Sequence, residues 1–146
     1  MSSKDLDNLV KIGTLKVEPP HQGEFDGLLA LARNKLNDVD KGLSIESQFD
    51  LAYGTAHALS LAAMRWHGYR PNNARFVVFQ ALPHTLGFGP DVWRVLDKAH
   101  SLRNLTEYAG SFTADKQLLA DIVRVTKTVL DAVEKLGPIP RVPEKK

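Results

Sequence analysis

SIESQFDLAYGTAHALSLAAMRWHGYRP, residues 44–71, decides the fold. Ser44 carries the hydroxyl of an N-cap, and Glu46 puts a negative charge in the first turn, where the helix dipole favours it. Ile45, Phe49, Ala52, Ala56, Leu59 and Ala63 recur every three or four residues and form one apolar stripe. The small residues in that stripe let a neighbouring helix approach closely. His67-Gly68 stops the helix, and Pro71-Asn72-Asn73 reads as a turn.

Glycine and proline divide the flanking sequence into further helical blocks. A short block covers about residues 4–15 and ends before Pro19-Pro20, since proline restricts its neighbour and lacks a backbone donor. Residues 23–42 follow, with Phe25, Leu28, Leu29, Ala32, Leu36 and Val39 at helical spacing. Residues 74–87 read as helix that Pro83 kinks or ends; Phe76–Phe79 alone would suit a strand, but no second strand stands elsewhere to pair with it. Pro90 opens a helix to about residue 108, closed by Gly110. Thr113 caps the last one, residues 114–136, whose Leu118, Ile122, Val125, Val129, Val133 and Leu136 share a face. Gly137-Pro138 ends it and leaves a loose tail. These blocks predict an all-α fold, an antiparallel four-to-five-helix bundle, as one domain over residues 1–146 with its core at about 23–136.

Composition sets the wider bounds. A chain of 146 residues, 43% hydrophobic and 25% charged, is long enough to bury a core. A net charge of +2 with ordinary apolar content argues against disorder, and zero cysteines exclude a disulfide framework. No apolar run approaches the roughly 18–20 residues of a membrane helix, and the first residues lack a basic-then-apolar signal. The expectation is a cytoplasmic protein without a membrane partner.

One residue breaks the pattern. On a wheel of about 100° per residue, Val92, Val95, Leu96, Ala99 and Leu102 gather on one side, and Arg103 falls among them. An arginine in a core-facing stripe has to be paired or solvated. His100 and Glu107 lie one turn to either side, and Asn104 and Tyr108 are also one turn apart. Two readings follow: an Arg–Glu pair that fixes helix register, or an arginine presented to a phosphate in a cleft or across an interface.

The string RNLTEY, residues 103–108, together with the long helix and turn of residues 49–71 and the final long helix, resembles the HEPN superfamily of small helical-bundle proteins. The family motif is an arginine, a polar residue after it, and a histidine beyond four to six intervening residues. The resemblance spans about residues 23–136 and is greatest for the small stand-alone bacterial kind. It implies a homodimer in which two arginines meet in a shared cleft, and metal-independent RNA cleavage of the toxin or defence type. In that chemistry arginine neutralises charge on the phosphate while histidine moves protons. Here Tyr108 stands at the histidine position. A phenol of pKa about 10 is a poor base at neutral pH, and losing a general base forfeits about 10²–10⁴-fold in rate. The resemblance therefore implies a catalytically degenerate module that binds RNA or a nucleotide through Arg103 and Asn104, with Glu107 beside them. Its alternatives are a ribonuclease using Arg103 with His100 or Tyr108, and an interaction module for a cognate antitoxin or nucleotidyltransferase.

Other candidates are weaker. Arg65, His67, Arg70 and Arg75 cluster with Trp66 and Tyr69 around one turn; such a cluster either grips single-stranded RNA, which makes Arg65 and Arg70 candidate substrate contacts, or is a solvated loop with anchored aromatics. His57, one turn after Tyr53, reads as a structural histidine, and Trp93 reads equally as core or interface. Asp97 and His100 form half of a di-iron carboxylate motif, but no other helical block carries a second half, so no metal or other cofactor is expected.

Overall fold

A computed structural model describes residues 3–41, 44–72, 76–109 and 116–140, with the side chains of residues 105–109 outside the description. The chain is an all-α helical bundle: α1 (Ser3–Lys11), α2 (Gln22–Asp38), α3 (Ile45–Trp66), the single turns α4 (Val77–Gln80) and α5 (Leu82–Thr85), α6 (Pro90–Ala109) and α7 (Lys116–Leu136). No described helix is long and apolar enough to cross a membrane.

α3 is the central element, with α2 and α7 packed along it. Ser44 caps it as its sequence predicts, its Oγ accepting from the Ser47 N–H at 3.2 Å. Burial extends well beyond the apolar stripe: Ala52, Tyr53, Thr55, Ala56, Ala58, Leu59, Ala62, Ala63 and Met64 are all buried. Alanine on several faces is what allows helices to close in from more than one side. α2 contributes Phe25, Leu29 and Ala32, α6 contributes Val92, Leu96 and Ala99, and α7 contributes Ile122, Val125, Val129 and Val133. Pro83 lies in the first turn of α5 and divides the 74–87 block into two short turns rather than one kinked helix.

Two expectations at the ends of α1 and α3 are corrected. α1 stops at Lys11, Gly13 turns the chain at φ +84°, and β1 (Leu15–Val17) pairs antiparallel with β2 (Tyr69–Pro71). The register is Leu15 with Pro71, Lys16 with Arg70 and Val17 with Tyr69, so Pro71 belongs to a strand rather than a turn. Three residues offer too little alternation for sequence periodicity to reveal. Gly68, at φ +90°, turns α3 into β2; a Cβ there would stand 3.5 Å from the Pro20 ring. The tail is also tied at its start. The Trp66 indole donates to the Gly137 carbonyl at 3.0 Å, and the Ile139 N–H donates to Gln22 Oε1 at 2.8 Å.

The junction of α2, α3 and the small sheet is locked by Arg65. Its side chain is 1% exposed. Nε donates to Glu24 Oε1 at 2.8 Å, Nη1 to the Glu18 and Tyr69 carbonyls, and Nη2 to the Pro19 carbonyl at 2.8 Å. Arg70 Nη2 donates to Glu18 at 2.9 Å and to Glu24 at 2.7 Å. Tyr69 closes the other side by donating to Asp7; burial and that carboxylate push its pKa up to about 12.

Removing Arg65 as Arg65→Met leaves Glu24 without its buried partner and is expected to cost about 3 kcal/mol in urea unfolding, the low end of the range for broken buried pairs because Glu24 keeps contact with water. The hydrogen bond from Arg70 holds the Glu18 carboxyl below the ordinary range. Burial pushes Glu24 up, but the bonds from Arg65 and Arg70 outweigh it and hold it low as well. Both contributions are complete above the ordinary glutamate range and fade as pH falls through the lowered values. Unfolding midpoints measured on acidification will fall more steeply for the parent than for Arg65→Met.

Candidate functional site

A half-open cavity of about 460 Å³ lies where α2, α3 and α6 meet. Its floor is one face of α3: Phe49, Asp50, Tyr53, Gly54, His57, Ala58 and Leu61. These positions follow the three-to-four-residue period of a helix, so one face presents a carboxylate, a phenol and an imidazole in succession. α2 adds Leu28, Leu31 and Lys35, and α6 adds Arg103.

Arg103 is half-buried, as its place in an apolar stripe requires. Its guanidinium carbon lies 5.1 Å from the centroid of the Tyr53 ring, within the range of a cation–π contact. The Tyr53 hydroxyl in turn meets His100 Nδ1 at 3.0 Å, and His100 Nε2 meets Asn104 Nδ2 at 3.2 Å. Both ring nitrogens of His100 are thus engaged, Nδ1 by the Tyr53 hydroxyl and Nε2 by the Asn104 amide. The imidazole links α6 to α3. Its ring stacks on Phe76 at 4.5 Å between centroids, and Tyr53 packs edge-on to Phe79 at 5.7 Å. This aromatic layer holds the phenol under Arg103.

Of the residues expected from the sequence, Arg103 reaches the cavity, while Asn104 and His100 form the layer behind it. Glu107 and Tyr108 are helical in α6, but their side chains lie outside the described residues. Arg65 and Arg70 do not join the site. Arg65 lies at the far end of α3, 11 residues or roughly 16 Å from Gly54 along the axis, and Arg70 lies beyond it in β2. The reading of Arg65 as a substrate contact is corrected, because burial and four hydrogen bonds leave it no face toward a ligand. Arg70 is engaged by the same two carboxylates. Asp97 stays one turn from His100, and no metal-holding group of three occurs among the described residues.

Among the residues of the site, Lys35, Asp50 and Gly54 were not singled out from the sequence, nor was the cavity role of His57. The spacing of Asp50, Tyr53 and His57 was a readable signal of a second, polar face on α3. Lys35 had none, since only tertiary packing brings α2 across that face.

No protein-family model, curated protein or solved structure matches the chain.

Tyr53→Phe removes the hydrogen-bond partner of His100 Nδ1 and is expected to destabilise the fold by about 1 kcal/mol. Nitrogen NMR of the imidazole should show a single tautomer in the parent and a mixture in the variant. An unchanged tautomer would contradict the link.

Proposed function

We propose that this cleft binds a phosphate of RNA or of a nucleotide, with Arg103 as the principal contact, in a HEPN-like homodimer that lacks the motif histidine. The observation that carries the reading is Arg103 itself, a half-buried guanidinium set over Tyr53 on the wall of a cavity. Its planar fork of donors matches phosphate oxygens, and a partly dehydrated cleft strengthens that attraction. Asn104 supports it indirectly, through His100, by fixing the phenol on which the guanidinium rests.

Binding is favoured over cleavage on two grounds. Tyr108 occupies the position of the motif histidine. Both nitrogens of His100 face protein partners, which suits a structural link better than a proton shuttle. A ribonuclease is the second reading, because His57 brings a different imidazole to the same cavity. In the dimer that the resemblance implies, a second copy would place its own arginine across the cleft.

The test is fluorescence anisotropy with single-stranded RNA at low salt, with light scattering for the oligomeric state and metal-free incubation for cleavage. The parent should bind as a dimer without cleaving. Arg103→Ala should remain folded and lose about ten- to a hundredfold in affinity, the worth of charge-assisted hydrogen bonds. Equal binding by Arg103→Ala would overturn the reading. Cleavage abolished by Arg103→Ala would replace it with the ribonuclease. A co-purifying protein lost with Arg103, without RNA binding, would replace it with an interaction module for an antitoxin or nucleotidyltransferase.

A further inference from the structure

Lys35 lies in the last turn of α2, where a lysine ordinarily faces water and offsets the helix dipole. Here it is half-buried and lines the cavity. Its stem crosses α3 at Gly54. A Cβ built on Gly54 would stand 3.4 Å from Lys35 Cδ, 3.6 Å from Cε and 3.7 Å from Nζ. Those are the three nearest atoms to that point, so the space left by glycine is filled by Lys35 and not by the backbone of α2. Glycine inside a helix is less stable than alanine, and α3 carries alanine at many other positions. The ammonium makes no ion pair among the described residues, and Asp50, which lines the same cavity, does not pair with it. A half-buried cation without a carboxylate partner, sharing a cavity with an arginine, is suited to an anion supplied from outside.

Resting on the phosphate reading above, we infer that Lys35 is the second phosphate-binding cation of the cleft and that Gly54 is its positioning residue. Arg103 and Lys35 reach the ligand from two different helices, with α3 as the floor between them. Lysine acts as a point charge there and arginine as the planar fork.

The experiment is binding of a short oligouridine by anisotropy across a range of potassium chloride, on the full chain. Each phosphate contact contributes to the slope of log affinity against log salt, by about 0.7 for single strands. Lys35→Met should weaken low-salt binding about tenfold and flatten the slope by about 0.7, a change that a merely structural lysine would not produce. Gly54→Ala should keep the parent slope, since its Cβ fits at ordinary contact distance. Gly54→Leu should displace the lysine and flatten the slope as Lys35→Met does, with no further loss when the two are combined. Circular dichroism checks the fold of each variant; if Gly54→Leu does not fold, Lys35→Met alone decides. A parent slope in Lys35→Met, beside a flattened one in Arg103→Ala, overturns this inference and leaves the phosphate cleft standing. No binding by the parent overturns both. Additive losses from Gly54→Leu and Lys35→Met overturn the positioning role of Gly54.

Discussion

The structure depends on α3 being buried along almost its whole length. A helix can be enclosed by neighbours on several sides only if its side chains are small, and Ala52, Ala56, Ala58, Ala62 and Ala63 meet that condition. α2 and α7 then pack along it. The same enclosure forces a decision on every polar residue α3 carries. Ser60 and Thr55 are small enough to be buried; Arg65, Tyr53 and His57 need partners or an opening.

α3 meets that need differently at two places along its length. At the C-terminal end Arg65 is surrounded by carbonyls and Glu24, and the result is a lock between α2, α3 and the small sheet. Midway along, the neighbours stand back and leave a cavity, with Tyr53 and His57 on its floor. Two cations border that opening, one on α6 and one on α2. Arg65 and Arg103 are thus the same residue type in different settings. Burial and saturated donors make the first structural, while the second stands on a cavity wall over an aromatic ring, where the proposed phosphate would meet it.

Much of this was legible in the sequence. The Ser44 cap, the Gly68 stop and the face of α7 follow from capping chemistry and helical period, which act within a few residues. Arg103 was legible as an anomaly, because a charge in an apolar stripe violates a rule that is costly to break. The strand pair was not, since three residues of ladder carry no period and their pairing joins segments 50 or more residues apart. Arg65 misled for the same reason: its carbonyl partners come from the linker before α2, which no local pattern marks. Lys35 and Gly54 are unremarkable in their own helices and acquire a role only when α2 crosses α3.

The most direct test of the phosphate cleft is an NMR titration of the isotope-labelled chain with short single-stranded RNA, following backbone and side-chain signals together. The account predicts that shifts concentrate at Lys35, Tyr53, His57 and Arg103 and reach His100 through its bond to Tyr53. Shifts confined to the basic groove of Lys116, Arg124 and Lys127, or to the hollow beside Trp66 and His84, would contradict it.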